Sequence, residues 1–137
     1  MSFFRRMADT YRAVNEGRAT AKAHQMAEQF LGEKLPSDVG ADGYAIVAGI
    51  ADYSSIEQMA MIYVAAYAKR MTWYLDTVNA TQDFRTRVSR NLARACILLA
   101  RLQRSGTSFN EFWTRDLIAA AKKHGVNTDS DKISFIV

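Results

Sequence analysis

The chain has 137 residues, of which 49% are hydrophobic and 23% charged, with one proline and seven glycines. A chain of this length buries about two-thirds of its unfolded surface, so we expect a single domain over 1–137 that needs no disulfide or metal to fold. Its single cysteine excludes an intramolecular disulfide, and a net charge of +4 is too small to indicate a polyanionic partner by itself. Turns use proline heavily, so its scarcity favours an all-α fold over a β-rich one.

No segment of the sequence predicts export or membrane insertion. The first residues, MSFFRRMADTYRAV, contain arginines but no apolar segment behind them, so no secretory signal is expected. The longest apolar run, MAMIYVAAYA at 59–68, has about half the length that crosses a bilayer. We therefore expect a cytoplasmic protein without a transmembrane segment.

The first predicted helical segment runs from Ser2 to about Leu31 and changes its apolar face near Gly17. The second apolar face is rotated by about 140° from the first. The first face consists of Phe3, Phe4, Met7, Tyr11 and Val14. The second consists of Ala19, Ala23, Met26, Ala27 and Phe30. This pattern predicts two helices, or one kinked helix, whose ends pack against different surfaces.

The middle of the chain predicts a connection followed by two helices. Residues 32–43, GEKLPSDVGADG, are rich in breakers and predict a long connection. Residues 44–50, YAIVAGI, predict a short buried helix, with a strand as the alternative because periodicity does not separate the two in so short a run. A serine at Ser54–Ser55 with Glu57 matches a capping box. The central apolar helix is therefore expected over about 54–79.

Two more helices complete the predicted fold. Thr81 or Asp83 is expected to cap a helix that ends near Arg104, and Ser108 with Glu111 forms a second capping box. The last helix is expected to end at Gly125. The final residues, DKISFIV, are β-prone and predict a short extended tail. The segments together predict an all-α bundle of about five helices around the central apolar helix.

Arginines occupy one side of the helix that follows Thr81. Between Phe84 and Asn110 there are six arginines and no acidic residue. A helical wheel places four of them opposite the apolar face, and we call this set the arginine face: Arg87, Arg90, Arg94 and Arg101. Guanidinium groups bind phosphates through paired hydrogen bonds, so this face suits nucleic acid or another anion. The commoner alternative is a solvated face whose arginines pair with acids on neighbouring helices.

Other reactive residue types do not assemble into a predicted site. His24 and Glu28 have the spacing of two metal ligands, but no third ligand accompanies them, so an exposed polar pair and no metal are expected. Cys96 lies in mid-helix, where a small core residue is expected rather than a reactive thiolate. No phosphate-binding glycine loop, nucleophile elbow or carboxylate pair occurs. No catalytic residue and no cofactor are therefore predicted.

The two ends of the chain carry apolar residues that the predicted bundle does not need, and these residues either fold back onto the bundle as a lid or bind another subunit or partner. They are Phe3, Phe4, Met7 and Tyr11 at the start, and Phe135 and Val137 at the end. This surplus favours a non-enzymatic interaction or assembly module, a homo-oligomeric adaptor or regulatory subunit that binds a second copy or another protein. Peripheral membrane contact by the N-terminal helix is not favoured, because one short helix binds a membrane weakly.

The sequence leaves two further functions open as alternatives. One is a nucleic-acid or anion-binding protein that uses the arginine face. The other is a helical ligand-binding protein or enzyme with a pocket near Tyr63 and Tyr67 in the central helix.

Overall fold

The computed structural model describes residues 3–51 and 54–126, and it describes side chains from Gly17 onward. Within these residues the chain forms five α-helices and no strand. The helices are α1 (Phe3–Leu31), α2 (Ser37–Val47), α3 (Ile56–Thr77), α4 (Gln82–Arg104) and α5 (Glu111–Lys123). The predicted all-α bundle is confirmed, and the predicted extended tail lies outside the described residues.

The central helix of the bundle is α3, which contacts each of the other four. Every residue from Met59 to Ala68 is buried, as the apolar run predicted. Small residues such as Ala65 let neighbouring helices approach closely, while Tyr63 and Tyr67 fill the space between them. Each large apolar side chain enclosed in this way contributes about 1.5–3 kcal/mol to folding.

Contacts along α3 fix the directions of α1 and α2. His24 of α1 packs edge-on against Tyr63, with ring centroids 5.3 Å apart. The chain then passes the end of α1, and Asp38 accepts a 2.6 Å hydrogen bond from Tyr74 near the end of α3. Further along α2, Gly43 packs against the ring of Tyr63, which lies closer to the start of α3 than Tyr74 does. Hence α1 runs parallel to α3, and α2 runs back antiparallel to both.

The other two helices lie on the remaining sides of α3. Asn91 in the middle of α4 donates a 3.1 Å hydrogen bond to the hydroxyl of Tyr67. In α5, Asp116 pairs with Lys69 at 3.0 Å and the later residue Lys123 pairs with Asp76 at 2.5 Å. The later residue of α5 therefore pairs with the later residue of α3, so the two helices are parallel.

The change of apolar face near Gly17 does not divide the first segment into two helices. The backbone forms one α-helix from Phe3 to Leu31. Gly17 lies on the exposed side of this helix, where an added methyl group meets no atom within 4 Å. A glycine inside a helix costs about 1 kcal/mol relative to alanine, which is not enough to end a long helix.

The predicted connection over 32–43 is wrong for its second half, because α2 begins at Ser37. Pro36 precedes the helix, where its fixed φ and missing N–H are tolerated. Gly43 lies so close to the ring of Tyr63 that a β-carbon there would overlap it. Glycine therefore allows α2 to pack tightly on α3, and it does not act as a breaker.

Residues 44–47 continue α2 as a helix, which resolves the alternative of a strand. Val47 is buried against the core, but Tyr44 and Ile46 are 54% and 37% exposed. The expectation that this run is buried is therefore wrong for two of its large residues. They lie on either side of the narrow contact that α2 makes with α3.

The helix caps differ in part from those predicted. Ser55 caps α3, and its hydroxyl oxygen accepts a 3.1 Å hydrogen bond from the backbone N–H of Gln58. The backbone N–H of Ser55 in turn donates a 2.9 Å hydrogen bond to the side-chain oxygen of Gln58, and not to Glu57 as predicted. Thr81 caps α4 as predicted, by accepting from the amide of residue 84. Asn110, rather than Ser108, caps α5. The last turn of α5 leads to Gly125, whose φ of 82° ends the helix as expected.

Candidate functional site

The apolar residues predicted to bind a partner fall into two groups. Phe3, Phe4, Met7 and Tyr11 belong to the first half of α1, whose backbone is helical and whose side chains lie outside the description. Their spacing therefore places them along one side of a helix. Phe135 and Val137 lie beyond the described residues.

The first half of α1 continues past the level at which α3 begins. His24 packs against Tyr63, which lies about two turns after the start of α3 at Ile56. Two turns before His24 is Gly17, so Gly17 lies near the level of Ile56. Residues 3–16 add about 21 Å of helix beyond that level.

A groove of about 490 Å³ opens between α2 and α5 at the same end of the bundle. We call it the Ile46 groove. Its lining residues are Ile46, Ile50, Ser54, Gln58, Met61, Ile62, Ser108, Phe109, Asn110 and Trp113. Gln58 fixes one wall, because its side-chain amide donates a 2.9 Å hydrogen bond to the carbonyl of Ser108. Apolar and polar side chains share the lining, and the polar ones lie where α3 and α5 begin.

An aromatic surface continues from the Ile46 groove along α5. The ammonium of Lys69 lies 5.3 Å from the ring centroid of Phe112 and 5.8 Å from that of Trp113. Phe112 is 59% exposed, and Trp73, one turn after Lys69, is 53% exposed. Aromatic side chains with a positive charge are typical of the residues that carry protein–protein binding energy.

The arginine face is exposed, and it is paired at one end. Arg87 lies 3.5 Å from Glu33 and stacks over the ring of Phe84 with a 5.3 Å separation. Arg90, Arg94 and Arg101 are exposed, and among the described residues they form no ion pair within 4 Å. The expectation of a face neutralised by neighbouring acids therefore holds for Arg87 only.

The two tyrosines of the third alternative have different surroundings. Tyr67 is enclosed, and its burial raises the pKa of its hydroxyl to about 12 although the hydrogen bond from Asn91 acts in the opposite direction. Tyr63 borders an open groove between α1 and α2 that also contains His24, Glu28 and Tyr44. Burial raises the pKa of Tyr63 as well. A polar-edged groove therefore exists beside Tyr63.

The His24–Glu28 pair has a structural role that its spacing does not reveal. His24 Nδ1 lies 3.5 Å from one carboxylate oxygen of Glu28, and the other oxygen accepts a 2.8 Å hydrogen bond from the Leu35 amide. Glu28 thereby holds the chain where it leaves α1, and the pair is half-buried rather than exposed. No group of three or more metal-binding side chains occurs among the described residues.

An apolar groove of about 500 Å³ lies beside the last turn of α3 and the start of α4. Tyr74 lines it and donates to Asp38, and this bond lowers the pKa of the carboxyl and raises that of the hydroxyl. Arg70 lies 2.6 Å from Asp42 and 3.8 Å from Asp38. The charged groups satisfy one another, so among the described residues this groove presents no unpaired charge for a ligand.

Cys96 is fully buried in α4, as predicted. Burial raises the pKa of its thiol to about 12, so the nucleophilic thiolate is scarce at neutral pH.

No family model, curated protein or solved structure matches this chain, so neither a family nor a function follows from similarity. In the part of the chain that the structure describes, every helix is too short or too polar to cross a membrane.

Proposed function

We propose that this protein is a non-enzymatic assembly module that forms homo-oligomers through the first half of α1. The observation that carries the proposal is the length of α1, which continues about 21 Å beyond the start of the central helix. Along this stretch, apolar residues recur on one side of the helix. An apolar helical face of this kind is stable in water when it packs against another surface.

The test is the molar mass at micromolar concentration, measured by size-exclusion chromatography with light scattering. The expected result is a dimer or a larger closed oligomer. Replacing Met7 and Tyr11 together by glutamate puts charge on the apolar side and should give a monomer with an unchanged helical circular dichroism spectrum. Arg12→Gln, on the opposite side of the same helix, should leave the mass unchanged.

A monomeric wild-type protein at these concentrations overturns the proposal. So does a double variant that assembles as well as the wild type. The circular dichroism spectrum shows whether the double variant has lost its helical structure or only its ability to assemble. If helical structure is lost, serine at both positions gives the same test without added charge.

A second candidate function is anion or nucleic-acid binding by the arginine face. It is favoured by the three exposed arginines that have no ion-pair partner within 4 Å among the described residues: Arg90, Arg94 and Arg101. Replacing all three by glutamine should weaken binding to duplex DNA and make the salt slope shallower by about 0.9 per lost phosphate contact. Unchanged affinity and slope would eliminate this candidate. Arg115→Gln on α5, whose arginine pairs with Glu111, is the matched control.

A further inference from the structure

We propose that the first half of α1 from one copy docks into the Ile46 groove of a second copy, with the side of the helix that carries Phe4, Met7 and Tyr11 facing the groove. This inference rests on the proposed assembly function and names the surface that receives the helix. The first half of α1 and the Ile46 groove lie at the same end of the bundle, which is where α3 begins.

The continuity of α1 excludes docking within one chain. The helix is unbroken from Phe3 to Leu31, and the part after Gly17 is anchored beside Tyr63. The Ile46 groove of the same chain lies on the far side of α2, between α2 and α5. Because α1 is one unbroken helix, its first half continues beyond this end of the bundle instead of turning back across α2, so the proposed acceptor is the groove of a second copy. Exchange of this kind between two copies forms a closed, self-complementary interface.

The chemistry of the two surfaces is compatible. The apolar side of the helix from Phe3 to Val14 is about 17 Å long. The apolar part of the groove includes Ile46, Ile50 and Trp113 of α5, and an amphipathic helix binds such a surface through residues one turn apart. The exposed ring of Phe112 extends the apolar surface at one side.

Charge at the rim also matches the N-terminal helix. Arg5 and Arg6 lie in the first turns of α1. Glu57 and Glu111 directly adjoin the groove-lining residues Gln58 and Asn110. Within the described residues Glu57 forms no ion pair within 4 Å, and Glu111 pairs with the exposed Arg115 of its own helix. Opposite charges at the rim favour this basic partner over an acidic one.

The first experiment measures assembly of the full chain by light scattering. Ile46→Glu places a charge in the groove and should weaken self-association by about tenfold or more, which corresponds to about 1.4 kcal/mol. Tyr44→Glu is the matched control, because Tyr44 lies two residues away on α2 and faces the groove between α1 and α2 instead. The expected control result is an unchanged association constant. Equal effects of the two variants would overturn the proposal.

The second experiment identifies the pairing directly. A copy with Met7→Cys is mixed with a copy of different mass that carries Ile46→Cys, and a short bis-maleimide is added. The native Cys96 is buried and does not compete. The expected product joins residue 7 of one copy to residue 46 of the other. Val78→Cys, at the opposite end of α3 and 53% exposed, should give no such product.

The two proposals fail in different ways. If the wild type assembles but residue 7 links to residue 46 no more than to residue 78, the docking surface is wrong and the assembly function stands. If the wild type is a monomer, the assembly function itself is wrong.

Discussion

α3 and α4 are almost equal in length, with 22 and 23 residues, but the bundle surrounds them differently. α3 is enclosed on all sides between Met59 and Ala68. α4 buries one side, including Val88, Leu92 and Leu99, and presents arginines on the other. Substitutions in the enclosed part of α3 therefore report on interior contacts, whereas α4 separates packing from surface chemistry within one helix.

The largest expected effect comes from the buried side of α4. Leu92 is fully buried, and Leu92→Ala should lower the free energy of unfolding by about 2–5 kcal/mol, because it removes contacts and leaves a cavity. Arg94→Ala, two residues later on the exposed side, should change it by less than about 0.5 kcal/mol. Urea denaturation of both variants measures the difference. Similar losses would mean that the two sides of α4 are not distinct.

A smaller effect is expected where α2 encloses α3. Gly43→Ala forces the ring of Tyr63 or the α2 backbone to move and should cost about 1–3 kcal/mol. Gly17→Ala is the matched control in α1, where nothing opposes the methyl group, and it should stabilise the protein by about 0.5–1 kcal/mol. Thermal unfolding of the two variants shows whether each substitution raises or lowers the stability of the protein. A stabilised Gly43→Ala variant would contradict the close contact of α2 and α3.

The smallest effect concerns the polar contact between α3 and α4. Tyr67→Phe leaves the Asn91 side chain without its buried acceptor and should cost about 1–2 kcal/mol near neutral pH. The pKa of Tyr67 is about 12 in the folded protein and 10.0 for the ordinary side chain. The tyrosine therefore contributes its full stability below the lower value, and this contribution is lost as pH rises through the folded pKa.

Chemical unfolding at a series of alkaline pH values tests this prediction. The stability difference between the wild type and Tyr67→Phe should shrink as the pH rises, because only the wild type has a hydroxyl that ionises more readily when unfolded. Other tyrosines and lysines titrate in both proteins and cancel in the difference. A difference that stays constant to high pH would show that Tyr67 ionises as easily in the bundle as in water.

The helical periods of the sequence predict most of the bundle. α3 and α4 occupy nearly the residues expected, because their apolar positions recur over many turns and Thr81 provides a cap. The cap of α3 illustrates the limit of such patterns. Ser54 and Ser55 are adjacent, as are Glu57 and Gln58, so the sequence offers two capping boxes one residue apart. The hydrogen bond from Gln58 to Ser108, fifty residues away, favours the observed one.

The start of α2 and the Ile46 groove were not predictable from local pattern. Gly43 resembles a breaker until its contact with Tyr63 is known, and that contact depends on tertiary packing. The groove lies between α2 and α5, and Met61 and Ile62 of α3 are among its lining residues. Its one local sign was the mixture of large apolar and small residues in YAIVAGI, which fits a helix that is buried on one side only.

The position of the two indole rings has a spectroscopic consequence. The chain has two tryptophans. Trp113 lines the Ile46 groove, and Trp73 lies one turn beyond Lys69 on the same side of α3. Tryptophan fluorescence, excited at wavelengths that tyrosine does not absorb, therefore comes from one side of the bundle. Such an emission spectrum reports on the α2–α5 surface, because α1 contains no tryptophan.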